Sequence, residues 1–250
     1  MTDSPASAIS PAMTIHPRDR LIVALDSDGE AQARRWVERL AGRIGAFKIG
    51  KEFFTRFGPE GVARVLQGQR FFLDLKFHDI PNTVAAAVRA ALAMRPFMLN
   101  VHASGGPAML QAAAAALAGA QPRPLLIGVT VLTSMDDADL ASVGQEGPVE
   151  AQVLRLAKLT QRSGLDGVVC SPREITALRR ALPAGFKLVV PGVRPVWAAA
   201  ADQKRMMTPG EAVAAGADYL VVGRPITGAA DPAEAARRIV EEMEEATARA

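Results

Sequence analysis

Gly167-Val168-Val169-Cys170-Ser171-Pro172-Arg173-Glu174 sets an apolar run directly against a helix start. The run is short and nearly free of polar side chains, as a parallel strand covered on both faces should be. A capped helix N-terminus follows it. Ser171 supplies a side-chain oxygen for a free backbone N–H, Pro172 takes the first helical position, where no N–H is needed, and Glu174 stands at the third. The same layout recurs in Thr208-Pro209-Gly210-Glu211 and Asp231-Pro232-Ala233-Glu234. Strand followed by helix is therefore the repeating unit.

Working outward, runs of the same kind lie at 21–26, 46–50, 71–76, 97–102, 125–131, 187–191 and 219–223. The segments between them are long enough to hold crossover helices. Eight βα units in 250 residues predict an α/β protein of one domain, a closed (β/α)8 TIM barrel over residues 21–250. Residues 1–20, rich in Ser, Pro, Ala and Thr, read as a flexible N-terminal tail. The alternative is an open doubly wound sheet. Its usual glycine-rich turn is missing, because the first strand ends Leu25-Asp26-Ser27-Asp28, and Ile49-Gly50-Lys51 lacks the spacing of a Walker loop.

Composition excludes several classes. With 49% hydrophobic and 22% charged residues, a large core is available and disorder is not indicated. The formal charge of +3 comes from arginines scattered along the chain, and aromatics are only 5%, so a nucleic-acid groove is not expected. A single cysteine, Cys170, rules out an internal disulfide, suits a reducing cytoplasm and reads as a buried structural thiol. No apolar stretch is long enough for a bilayer, and the tail has no apolar segment of a signal peptide. A cytoplasmic protein without membrane or nucleic-acid partners is the expectation.

In barrels the chemistry gathers at the C-terminal ends of the strands. Asp26, Lys48, Asp74, Lys76, Asp79, Thr133, Ser134, Arg194 and Arg224 all fall there. Asp74 and Lys76 are two apart in a strand and should project to one face. An unpaired buried charge is costly, so they form either a structural ion pair or, with Lys48 and Asp79, a centre that fixes one ammonium. Independently, Pro191-Gly192-Val193-Arg194 and Gly223-Arg224-Pro225 follow the last two strands, where barrels often bind phosphate. Glycine allows close backbone approach and arginine supplies a forked cation. The stretch 193–207 is long for a routine connection and carries Gln203, Lys204 and Arg205. It reads as a lid closing on the phosphate, with a plain surface loop as the alternative. His16, His78 and His102 lack zinc-ligand spacing, so no metal site is expected, and His78 and His102 read as hydrogen-bonded structural residues.

The stretch Phe72-Leu73-Asp74-Leu75-Lys76-Phe77-His78-Asp79-Ile80-Pro81-Asn82-Thr83-Val84 resembles the signature of the bacterial-type orotidine 5′-phosphate decarboxylases. The resemblance runs from Leu21 to Arg224. It includes Val23-Ala24-Leu25-Asp26, Phe47-Lys48-Ile49-Gly50, Thr130-Val131-Leu132-Thr133-Ser134, Val190-Pro191-Gly192-Val193-Arg194-Pro195, Asp202-Gln203 and Val222-Gly223-Arg224-Pro225.

That resemblance implies a carboxy-lyase that turns orotidine 5′-phosphate into UMP and CO2, the last step of de novo UMP biosynthesis, with no cofactor. It assigns the catalytic set Lys76, Asp74, Asp79 and Lys48, with Lys76 stabilising the developing carbanion and donating the proton. Asp26 and Lys48 would hold ribose hydroxyls, Thr133 and Ser134 would meet the pyrimidine, and Gln203 would bridge base and phosphate. Arg194, Gly223 and Arg224 would hold the phosphate beside Pro191. The family's homodimer would bring Asp79, Ile80 and Thr83 into the partner's site. Two alternatives stay open: a metal-assisted sugar-phosphate epimerase or decarboxylase on the same barrel, and a non-catalytic phosphoribosyl-binding barrel. The second would need no Asp74–Lys76–Asp79 cluster.

Overall fold

A computed structural model describes residues 15–198 and 207–249 of the chain. Its strands are β1 (Leu21–Ala24), β2 (Ala46–Gly50), β3 (Phe71–Phe77), β4 (Met98–His102), β5 (Leu125–Val129), β6 (Gly167–Val169), β7 (Lys187–Pro191) and β8 (Tyr219–Val222). They form a closed barrel in sequence order, every neighbouring pair parallel, with β8 pairing back onto β1. All the expected strands are present. Several end earlier than their apolar runs, because residues such as Asp26 and Val131 already belong to the loops above the barrel.

Closure divides the core in two. Ile22, Ala46, Phe72, Met98, Ile127, Val189 and Tyr219 form one cluster, with Val169 packed against it. Each comes from a different strand, so this cluster fills the barrel interior. The larger cluster joins the outward strand residues, such as Leu21, Val23, Leu73 and Leu99, to apolar helix residues such as Val37, Val88, Leu156 and Ile239. Strand alternation then places the site. Two residues beyond Ala46, Phe72 and Met98 along their strands stand Lys48, Asp74 and Asn100. The apolar plug is the floor on which a polar layer rests.

The three proline-marked helix starts behave as their sequence requires. Thr208 accepts from the Glu211 N–H at 3.2 Å, and the Glu211 carboxylate accepts from the Thr208 N–H at 2.8 Å. Asp231 accepts from Ala233 and Glu234 ahead of the long helix Pro232–Ala248. At Ser171 the Glu174 carboxylate accepts the Ser171 N–H at 2.7 Å, but the first turn, Pro172–Glu174, is a 3₁₀ helix.

Residues 17–20, counted with the tail from sequence, instead form a short helix, Pro17–Arg20. His16 Nδ1 accepts the Arg18 N–H at 3.2 Å, and Arg20 donates to the Ile15 and Ala217 carbonyls at 3.1 and 2.9 Å. Ile15 packs against the interior cluster. The helix is held by contacts to β8 and its flank that composition alone does not reveal.

Candidate active site

Asp74 is the hub of the polar layer. Its Oδ1 lies 2.6 Å from Lys76 Nζ and 2.7 Å from Asn100 Nδ2, and its Oδ2 lies 3.3 Å from Lys48 Nζ. Lys48 also reaches Asp26 Oδ1 at 3.2 Å. The Asp74 and Lys48 side chains are each 11% exposed, Lys76 is 25% exposed, and Asp26 is 65% exposed at the rim. Charges thus alternate from Asp26 through Lys48 and Asp74 to Lys76, and the buried carboxylate has three donors. A buried carboxylate with three such donors is fixed in orientation.

Gly50 makes room for this row. A Cβ there would stand 3.1 Å from Lys48 Nζ and 3.4 Å from Asp26 Oδ1. Close approach of a lysine head to the backbone is thus what this position requires.

Asp74 and Lys76 meet as expected, but not by simple strand alternation. The β3–β4 register shifts between Leu73 and Phe77, and Lys76 has φ +53, the left-handed region. That conformation costs a residue with a Cβ about 1–2 kcal/mol. The bulge re-aims the lysine, as bulges beside active sites commonly do. Asn100, fully buried in β4, faces it: its Oδ1 accepts the Lys76 N–H at 2.8 Å. Sequence reasoning passed over Asn100. Its signal was a lone carboxamide inside the apolar strand Met98-Leu99-Asn100-Val101-His102.

Asp79 does not join the cluster of its own chain. Its Oδ1 accepts the Ile80 N–H at 2.6 Å, and Asp79, Ile80 and Thr83 are all exposed, Ile80 at 66%. Thr133 and Ser134 are exposed on the turn after β5. Pro191 ends β7, Gly192 takes φ +81, and the Arg194 N–H donates to the Met207 carbonyl at 3.1 Å, which closes the base of the long connection. Gly223 precedes the short helix Arg224–Thr227, with Arg224 exposed. A Cβ on Gly223 would lie 3.9 Å from Asp26 Oδ2, so the loop after β8 borders the charged row. Gln203, Lys204 and Arg205 lie outside the described residues.

A cavity of about 1050 Å³ opens over β5–β7, lined among others by Thr133, Ser171, Pro191, Gly192 and Met207. It touches the expected pyrimidine and phosphate loops but none of Lys48, Asp74 and Lys76. The row of hydrogen-bonded charges and this hollow are thus separate features of the same barrel mouth.

His102 closes β4 with its ring 5.4 Å from that of His78. Burial, then the neighbouring His78, Lys51 and Lys76, pull its pKa down from 6.5 to about 4. It is therefore neutral near pH 7. Cys170 is fully buried and burial raises its pKa, which makes it an inert thiol.

The family model for "Orotidine 5'-phosphate decarboxylase / HUMPS family" matches residues 19–239. The chain belongs to that family. A relative from Syntrophotalea carbinolica, named orotidine 5′-phosphate decarboxylase, is 54% identical over 237 residues, covering 92% of this chain and 97% of its own. One of the same name from Vibrio atlanticus is 56% identical over 216 residues, covering 86% of this chain and 94% of its own. The crystal structure of the Lactobacillus acidophilus orotidine 5′-phosphate decarboxylase superimposes with a TM-score of 0.79 at 38% identity, covering 89% of this chain and 98% of that one. Family membership therefore rests on nearly the whole barrel.

Proposed function

We propose that the protein is a carboxy-lyase that decarboxylates orotidine 5′-phosphate to UMP in pyrimidine biosynthesis. The observation that carries this reading is the Lys76 ammonium, fixed 2.6 Å from buried Asp74, in a chain 54% identical to a decarboxylase across 92% of its length.

Loss of CO2 breaks the bond between the ring carbon and the carboxylate and leaves the electron pair on that carbon. An ammonium already in place stabilises this charge as it develops, without reorganisation at the moment of reaction. Lys76 then gives its proton to the same carbon, forming UMP, and regains one from solvent. Asp74 and Lys48 hold the ammonium in position, and Lys48 with Asp26 binds the ribose hydroxyls. Thr133 and Ser134 contact the pyrimidine, with Gln203 between base and phosphate. Pro191, Arg194, Gly223 and Arg224 seat the phosphate, whose binding energy contributes at a centre it does not touch.

The protein acts as a homodimer in this account, with Asp79, Ile80 and Thr83 completing the neighbour's site. Their exposure, and the pairing of Lys76 with Asp74 while the Asp79 carboxylate accepts only the Ile80 N–H among the described hydrogen bonds, support that arrangement. A cytoplasmic location is supported by the likeness to bacterial orotidine 5′-phosphate decarboxylases. No described helix is long and apolar enough to cross a membrane.

The test is an absorbance assay with orotidine 5′-phosphate, with and without EDTA. UMP and CO2 should appear in equal amounts at the same rate in both. A folded protein that leaves the substrate intact contradicts the function, and loss of activity with chelator favours the metal-assisted alternative.

A further inference from the structure

Asn100 touches no reacting group in the proposed reaction, yet it is 0% exposed. A polar side chain buried that deeply is explained by its partners. They lie where β3 and β4 fall out of register: Leu73 pairs with Leu99 and Phe77 with Val101, which leaves Asp74, Leu75 and Lys76 opposite Asn100 alone. Across this gap the carboxamide donates to Asp74 Oδ1 at 2.7 Å and accepts the Lys76 N–H at 2.8 Å. One planar group thus supplies a donor and an acceptor at once, which neither a carboxylate nor an aliphatic side chain does.

We propose that Asn100 is a positioning residue for the lysine–aspartate centre. It replaces the ladder hydrogen bonds missing at the bulge, holds Lys76 in its left-handed conformation, and fixes which Asp74 oxygen meets the ammonium. The inference rests on the reading that Asp74 and Lys76 carry the decarboxylation. Asp74 Oδ1 is gripped by Asn100 and Lys76 and Oδ2 by Lys48, so the plane of the carboxylate is set from both sides. The start of the Lys76 stem is set by its backbone N–H and its end by Asp74. A long flexible side chain is thereby held at both ends, and both anchors pass through Asn100.

Asn100→Leu and Asn100→Asp test this by steady-state kinetics on orotidine 5′-phosphate from acid to alkaline pH, together with UMP affinity. Asn100→Leu should lower kcat by about 10- to 100-fold, the effect of losing a hydrogen bond to a charged group, and change UMP affinity by less than about threefold. Asn100→Asp keeps the acceptor for the Lys76 N–H but sets a second carboxylate against Asp74. Like charges so close take up a shared proton, which restores a donor. Its deficit relative to the wild type should therefore shrink as pH falls.

Wild-type kcat in both variants, or an Asn100→Asp deficit that is constant with pH, would overturn the positioning role. If Asn100→Leu does not fold, the Asn100→Asp profile alone decides. A wild-type protein inactive on the substrate would overturn both this inference and the function beneath it. An active wild type with unchanged variants would overturn this inference alone.

Discussion

Lys76 Nζ lies 2.6 Å from Asp74 Oδ1, although the strand carrying both is bulged between them. Lys48, 3.3 Å from the other oxygen of Asp74, extends the row to Asp26. In such a row each charge is placed by its neighbours, so a disturbance at one end should be felt at the other.

Gly50→Ala probes that row from outside it. The backbone there, φ −91 and ψ 178, accepts alanine, but the new Cβ presses on Lys48 Nζ. Thermal melting should change little, while kcat/KM falls about tenfold from a shift of a few tenths of an ångström. Unchanged kcat/KM would show that Lys48 can move without consequence.

Asp79 gives a prediction across subunits. Lys76→Ala and Asp79→Ala proteins should each be nearly inactive, and mixing them after dissociation should restore about a quarter of wild-type activity, since half the dimers then hold one intact site. No recovery from mixed subunits, with exchange verified by mass, would return Asp79 to its own chain.

Arg224 is exposed beside Gly223, at the loop after β8. Arg224→Ala should lower kcat/KM for the phosphorylated substrate by at least about thirtyfold, the scale of a lost charge pair. Binding of the bare nucleoside should hardly change. Equal losses on the two ligands would contradict a phosphate contact.

His102 makes stability depend on pH. Its folded pKa is about 4 against 6.5 for a free histidine, chiefly through burial. Between those values the unfolded chain binds the extra proton, so this histidine costs stability as pH falls from 6.5 towards 4. His102→Gln should flatten the decline of melting temperature over that window. An identical decline in both proteins would mean that His102 protonates as easily folded as unfolded.

The barrel was legible because its code is local: apolar runs, proline at helix starts and a glutamate two residues later each act over one turn. Lys48, Asp74 and Lys76 were legible because buried charges stand out in apolar strands. Asn100 was not, since a single carboxamide reads the same whether it bridges a bulge or faces water. The bulge itself escaped because nothing in Asp74-Leu75-Lys76 violates alternation; the shift arises from pairing with β4. The helix Pro17–Arg20 was hidden for a similar reason, the Ala217 carbonyl that holds Arg20 being distant in sequence.

The most direct test compares wild type and Lys76→Ala, both in EDTA, for turnover of orotidine 5′-phosphate and for UMP affinity. The account predicts that the variant loses at least about a thousandfold in kcat, the scale of a missing proton donor and charge stabiliser, while still binding UMP. Turnover near the wild-type rate by Lys76→Ala would contradict it.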